Sequence, residues 1–102
     1  MSIIIYTTVG SKKEADKIAK TLVNDKLVAC VNYFPVKSTY VWKNKIFCEG
    51  EYVLLCKTIR GKFNKIRHRI RKLNSYELPA IFSIKTDEVD IENLSWVRKS
   101  LK

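Results

Sequence analysis

Apolar positions in this chain switch period several times, and each switch marks an element. Ser2 to Thr8 is dense in β-branched residues and reads as a buried strand, turned by Val9-Gly10. From Ser11 the period becomes helical. Ala15, Ile18, Ala19, Leu22 and Val23 form an inner face, Ser11 and Glu14 make a capping box, and the helix ends near Lys26. Leu27 to Phe34 is a second strand, with Pro35 as a kink or edge feature, and it continues from Val36 to Trp42. Lys43-Asn44-Lys45 is a turn in which Asn44 takes a positive φ. Ile46 to Thr58 returns antiparallel, with a bulge expected at Gly50. Lys62 to Leu73 is a second helix, striped by Phe63, Ile66, Ile70 and Leu73. Asn74 to Pro79 is a loop and Ala80 to Thr86 a fourth strand. Asp90 caps a last helix to Leu101, whose inner face is Ile91, Leu94, Val97 and Leu101.

The order β-α-β-β-α-β plus a helix predicts an α+β fold: a ferredoxin-like sandwich with a long hairpin and an extra C-terminal helix. With no linker or repeat, residues 1–102 read as one domain. The hairpin around Trp42 is longer than a small four-stranded sheet requires, and long exposed strands invite pairing with another chain. Trp96 points the same way. On the last helix it lies about 130° from the centre of the apolar stripe, at about 100° per residue. A large aromatic off the core face marks an interface, so the chain is expected to be an oligomer.

Charge and cysteines narrow the setting. Net charge is +10, from 20 basic and 10 acidic residues, which favours anionic partners by long-range attraction without naming one. No apolar run reaches the length of a membrane span. Ile3-Ile4-Ile5 is too short for the apolar core of a secretory signal. Cys30, Cys48 and Cys56 cannot all pair within one chain and form no C-x-x-C. Both features predict a cytoplasmic protein without a disulfide framework.

The residues offer little catalytic or metal chemistry of their own. The spacing of the three cysteines and His68 fits no zinc template, and His68 falls on the solvent side of its helix. Cys48 and Cys56 share a strand face but lie about 26 Å apart at the usual rise. Cys30 follows an apolar triplet, as a small buried hydrophobe would. Seven basic residues between Arg60 and Lys72 form a stripe that phosphates could use. The aromatic run of RNA-recognition sheets is missing, and the stripe reads as a solvated helix face. The loop Thr7 to Lys12 has one glycine and no arginine, unlike a small acylphosphatase, and no Ser/His/Asp set exists. The chain is therefore read as a non-enzyme.

Four segments together carry a family resemblance: Leu27-Val28-Ala29-Cys30-Val31-Asn32, Ser38-Thr39-Tyr40-Val41-Trp42, Glu51 to Thr58, and Tyr76-Glu77-Leu78-Pro79. In order and spacing the chain resembles the CutA family of divalent-cation tolerance proteins, from about Ile3 to Leu101. The resemblance implies a homotrimer with hairpins reaching across subunits, binding or responding to metal ions, copper above all. It implies Cys30 as a copper ligand, since soft thiolates select that metal. The family's His-Pro-Tyr-Glu run stands here as Asn74-Ser75-Tyr76-Glu77, without the imidazole. The resemblance also places Ser38, Tyr40, Trp42, Glu51, Lys57, Tyr76 and Glu77 around a cleft between subunits, where Lys57 either meets a ligand or pairs with Glu51 or Glu77. Trp42 and Trp96 are the expected trimer-interface aromatics. A likeness of fold to the PII signalling proteins gives the alternative, a trimeric regulator sensing a small anion or metabolite in that cleft.

Overall fold

The structure, a computed structural model, describes residues 1–102. Strand β1 (Ser2–Val9) leads to α1 (Lys12–Asn24), β2 (Cys30–Trp42), β3 (Lys45–Ile59), a short 3-10 turn, α2 (Phe63–Leu73), β4 (Ile81–Lys85) and α3 (Ile91–Ser100). The sheet is antiparallel throughout, in the order β2-β3-β1-β4. This is the expected α+β, ferredoxin-like βαββαβ arrangement with a C-terminal helix.

One face of the sheet carries the core. Ile3, Ile5 and Val9 of β1 and Leu54 and Cys56 of β3 meet Ala15, Ile18, Ala19 and Leu22 of α1 and Ile66 and Ile70 of α2. These are the apolar stripes read from the helical period, except that Val23, expected on the inner face of α1, is 43% exposed and lies off the core. Ser11 caps α1 by accepting from the Glu14 amide at 3.2 Å. The reciprocal half of the capping box is diverted, because the Glu14 carboxylate accepts from the Ser75 amide at 3.4 Å.

Several boundaries differ from the sequence expectation for local reasons. Helix α1 stops at Asn24, and Leu27 belongs to its ending rather than to a strand. The Lys26 amide donates to Val23 O and the Leu27 amide to Leu22 O, with Lys26 at φ 57. That is a Schellman ending with lysine where glycine is usual, and its following apolar residue folds back onto the core. Pairing of β2 therefore begins three residues late, at Cys30. Pro35 does not interrupt β2, because the strand lies at the sheet edge. Gly50 makes no bulge: it pairs with Lys37 in an unbroken register from Cys30↔Lys57 to Trp42↔Lys45. The hairpin turn has Lys43 at φ 50 as well as Asn44 at φ 65, the two positive values of a type I′ turn. On α3 only Val97 of the expected inner face is buried, and Ile91 is 80% exposed, so the first turn of that helix stands free.

The hairpin reaches past the sheet. Strand β3 pairs with β1 only from Tyr52 to Ile59, while Lys45 to Glu51 have β2 alone beside them. The second sheet face is likewise uncovered in part. Register places Phe34, Tyr6, Phe82 and Ile84 on it, opposite the helices, and Phe34, Phe82 and Ile84 are exposed.

Candidate functional site

A cavity of about 460 Å³ lies where the base of the projecting hairpin meets the loop after α2. Strand alternation brings in Ser38, Tyr40 and Trp42 from β2 and Glu51 from β3. The loop supplies Tyr76 and Glu77. Six of the seven pocket residues expected from the sequence thus share one cavity.

Lys57 is the exception. It is exposed, pairs with Cys30, and sits six residues along β3 from Glu51 on the same face, about 20 Å away at the usual strand rise. It makes no ion pair with Glu51 or Glu77. Glu51 instead accepts from the Tyr76 hydroxyl at 2.8 Å, and Glu77 meets Lys43 at 3.7 Å.

The loop is held by Asn74, the residue standing where the family pattern has histidine. Asn74 is only 7% exposed. Its side-chain amide donates to Thr8 O, and its carbonyl accepts from the Tyr76 amide, both at 2.9 Å. Position 74 therefore fixes the loop to the end of β1 and projects no ligand outward. Tyr76 lies over Gly10, where a Cβ would come within 3.4 Å of the phenol oxygen.

Two lining aromatics escaped the sequence reading, Tyr6 and Phe82, which meet edge to face at 6.2 Å between ring centroids. Their signal was parity. Tyr6 alternates with the core-facing Ile5 and Thr7, and Phe82 is its register partner on β4. Neither residue is near the hairpin in sequence, so the pocket drew no attention to them.

Electrostatics in the cavity are negative. Its lining includes Glu51 and Glu77 and neither lysine nor arginine, in a chain of net charge +10. Burial, then the Glu51 carboxylate, pushes the Tyr76 phenol well above its ordinary range. Burial, then Glu49 and Glu51, raises Tyr40.

The remaining metal-ligand candidates are dispersed. Cys30 is half-buried, with its thiol 3.8 Å from Asn32 Oδ1, Cys48 is exposed and Cys56 fully buried. His68 is exposed on α2. No three His, Cys, Asp or Glu side chains gather in a way that could hold a metal ion. A closed site around Cys30 requires donors from outside the protomer. On the basic stripe, Arg69 is tied to Asp25, while Arg67, Arg71 and Lys72 face solvent.

The class of protein is a ferredoxin-like α+β sandwich extended by a long hairpin that walls an aromatic cavity. The comparisons make the class particular. The family model described as CutA1 divalent ion tolerance protein matches residues 3–100, and this chain belongs to that family. It is 35% identical to the divalent-cation tolerance protein CutA of Thermotoga maritima over 99 residues, covering 97% of this chain and 98% of that one. With the Archaeoglobus fulgidus CutA it shares 38% identity over 98 residues, 96% of each chain. The solved structure of that protein, described as a periplasmic divalent cation tolerance protein, superposes with a TM-score of 0.98 at 37% identity and full coverage of both chains.

Proposed function

We propose that this chain is a non-catalytic homotrimer that binds or responds to divalent metal ions, with copper as the ion and Cys30 as the thiolate it meets. The observation that carries the metal role is the full-length match to the divalent ion tolerance family, from residue 3 to residue 100. Copper is the ion that a soft thiolate such as that of the half-buried Cys30 selects. Assembly is supported by the exposed apolar sheet face and by the unpaired hairpin ribbon, both of which another copy of the chain would cover. We assign two aromatics to the interface, Trp96 on α3, which is 51% exposed, and Trp42 at the hairpin end. Three unpaired cysteines fit a reducing, cytoplasmic setting.

The test is titration with Cu(I) and Cu(II) separately against a competing chelator, with zinc as control and Cys30→Ser alongside. Submicromolar copper binding that is lost in the variant supports the reading. Weak binding, or binding untouched by the substitution, leaves Cys30 as a packing residue and removes copper from the account.

A second reading rests on the cavity itself: a trimeric regulator that senses a small molecule at the base of the hairpin. The specific observation in its favour is the convergence of Ser38, Tyr40, Trp42, Glu51, Tyr76 and Glu77 on one concave, aromatic-walled site.

A further inference from the structure

We propose that the outer surface of the helix layer, α1 beside α2, is a docking face for duplex DNA, which it holds by the phosphate backbone without reading sequence. This is independent of the metal and small-molecule readings and of the cavity.

The first support is a gathering of charge that only the fold makes. Along the sequence the basic stripe belongs to α2 alone and reads as a solvated face. In the structure α1 lies beside α2 on one side of the sheet, and their inner faces share one core. Lys13, Lys17 and Lys20 recur at helical spacing and form a row on the outward side of α1. Lys65, Arg71 and Lys72 stand on the outward side of α2, away from the buried Ile66 and Ile70. All six are exposed and none forms an ion pair.

The second support is the state of the acids. Helix α2 has none. Glu14 accepts from the Ser75 amide at 3.4 Å. Asp16 accepts from the Tyr33 hydroxyl at 2.7 Å and from Lys12 at 3.1 Å, and Asp25 at the end of α1 holds Arg69. Every carboxylate of the layer already has a partner, so the six cations stay uncompensated. Like charges side by side repel, and a polyanion relieves that repulsion while releasing its own counterions.

The third support is position. The helix layer lies across the sheet from Phe34, Phe82 and Ile84 and includes no part of the hairpin. Those are the surfaces through which the proposed trimer assembles, so the helix layer faces outward in the assembly and each protomer presents one.

Shape and side-chain type select the polyanion. Val23 is the only exposed apolar residue of the two helices, so they carry no wedge for the acyl region of a membrane. They expose no aromatic ring on which single-stranded bases could stack. They expose no hydroxyl for the 2′-hydroxyls that line the groove of an RNA duplex. Two packed helices, each about 10 Å across, are too broad for a major groove about 12 Å wide. The pair therefore rests on the phosphates at the groove's rims, where contacts carry no sequence information.

The experiment is fluorescence anisotropy of a short labelled DNA duplex titrated with the assembled, full-length protein, in KCl from about 50 to about 200 mM. Affinity is expected to fall steeply with salt, and an unrelated duplex of equal length is expected to bind equally. Lys17→Gln and Arg71→Gln, made together, should reduce the slope of log affinity against log salt by about two, since each phosphate contact contributes about 0.9. Lys37→Gln with Lys45→Gln removes the same charge from the hairpin and should leave the slope unchanged. An equal loss of slope in both double variants overturns the inference by showing attraction to net charge alone. A clear preference between the two duplexes overturns backbone-only contact. Tighter binding of an RNA duplex, binding of vesicles containing anionic lipid in place of DNA, or absence of DNA binding at the lower salt overturns the assignment to DNA.

Discussion

The Tyr76 hydroxyl donates to Glu51 Oε1 over 2.8 Å, joining the loop after α2 to the strand that leads out into the hairpin. The two residues are far apart in sequence and come from elements with no other common purpose. Their bond sets the floor of the cavity, and the same tyrosine lies over Gly10 at the β1–α1 junction. Removing the hydroxyl as Tyr76→Phe is expected to cost about 1 kcal/mol, an ordinary hydrogen-bond contribution, with the ring still seated. Chemical denaturation measures this; an unchanged midpoint would show that water replaces the bond without loss.

Asn74 carries more. Its two hydrogen bonds, to Thr8 O and from the Tyr76 amide, are made at a site with almost no solvent. Asn74→Ala orphans both backbone groups, and the expected destabilisation is about 2–3 kcal/mol. Amide exchange at Tyr76 should rise in the variant. If stability and exchange both stay at wild-type values, the loop is anchored by something other than this side chain.

Lys26 presents the opposite case, a position that can be improved. It takes φ 57 at the end of α1, in a place where glycine carries no Cβ penalty. Lys26→Gly is expected to stabilise the protein by about 0.5–1 kcal/mol. A lower melting temperature would mean that the gain in unfolded-chain entropy outweighs the relief at this turn.

Alkaline pH should unfold the protein through Cys56. Burial pushes its thiol up from 9.0 to about 12. Below pH 9 the thiol is protonated in both states and stability is unaffected. Above it the unfolded chain ionises while the folded one cannot, so the unfolded state binds fewer protons and stability falls. The loss for this one group is about 1.4 kcal/mol per pH unit once the unfolded thiol has ionised, and it levels off near pH 12. Tyr40 and Tyr76, also raised, add to the fall above pH 10. Cys56→Ala should show a shallower slope between pH 9 and 10 in denaturation experiments; an identical slope would assign the loss to other groups.

The uncovered sheet face gives a prediction about assembly. Ile84 is 47% exposed in the protomer, so Ile84→Glu should leave the fold intact by circular dichroism. The same change places a charge in the proposed interface, and sedimentation should then show dissociation. Trp96→Ala should weaken assembly in the same way. Full trimer at low micromolar concentration in both variants would place the interface elsewhere.

What the sequence determined by itself was local. The helical stripes of α1 and α2, the Ser11 and Asp90 caps and the hairpin turn follow from residue type and spacing over a few positions. So does the alternation that aims Ser38, Tyr40 and Trp42 to one side. Where a local signal had two outcomes, the fold chose. Gly50 permits a bulge but pairs regularly, because the turn fixes the register of the whole hairpin. Leu27 looks like the start of a strand, yet it closes the helix before it. Ile91 matches the apolar stripe of α3 but lies beyond the part of that helix that meets the sheet. The cavity was decided by tertiary structure almost entirely. Parity along β3 puts Lys57 and Glu51 on one face, but parity carries no distance, and six residues of strand separate them. Tyr6 and Phe82 enter the site because β1 and β4 run side by side, a pairing between residues 76 positions apart that no window of sequence contains. The negative sign of the cavity has the same origin: a strongly basic chain has an acidic site because folding collects two particular glutamates there and leaves every lysine and arginine outside its lining.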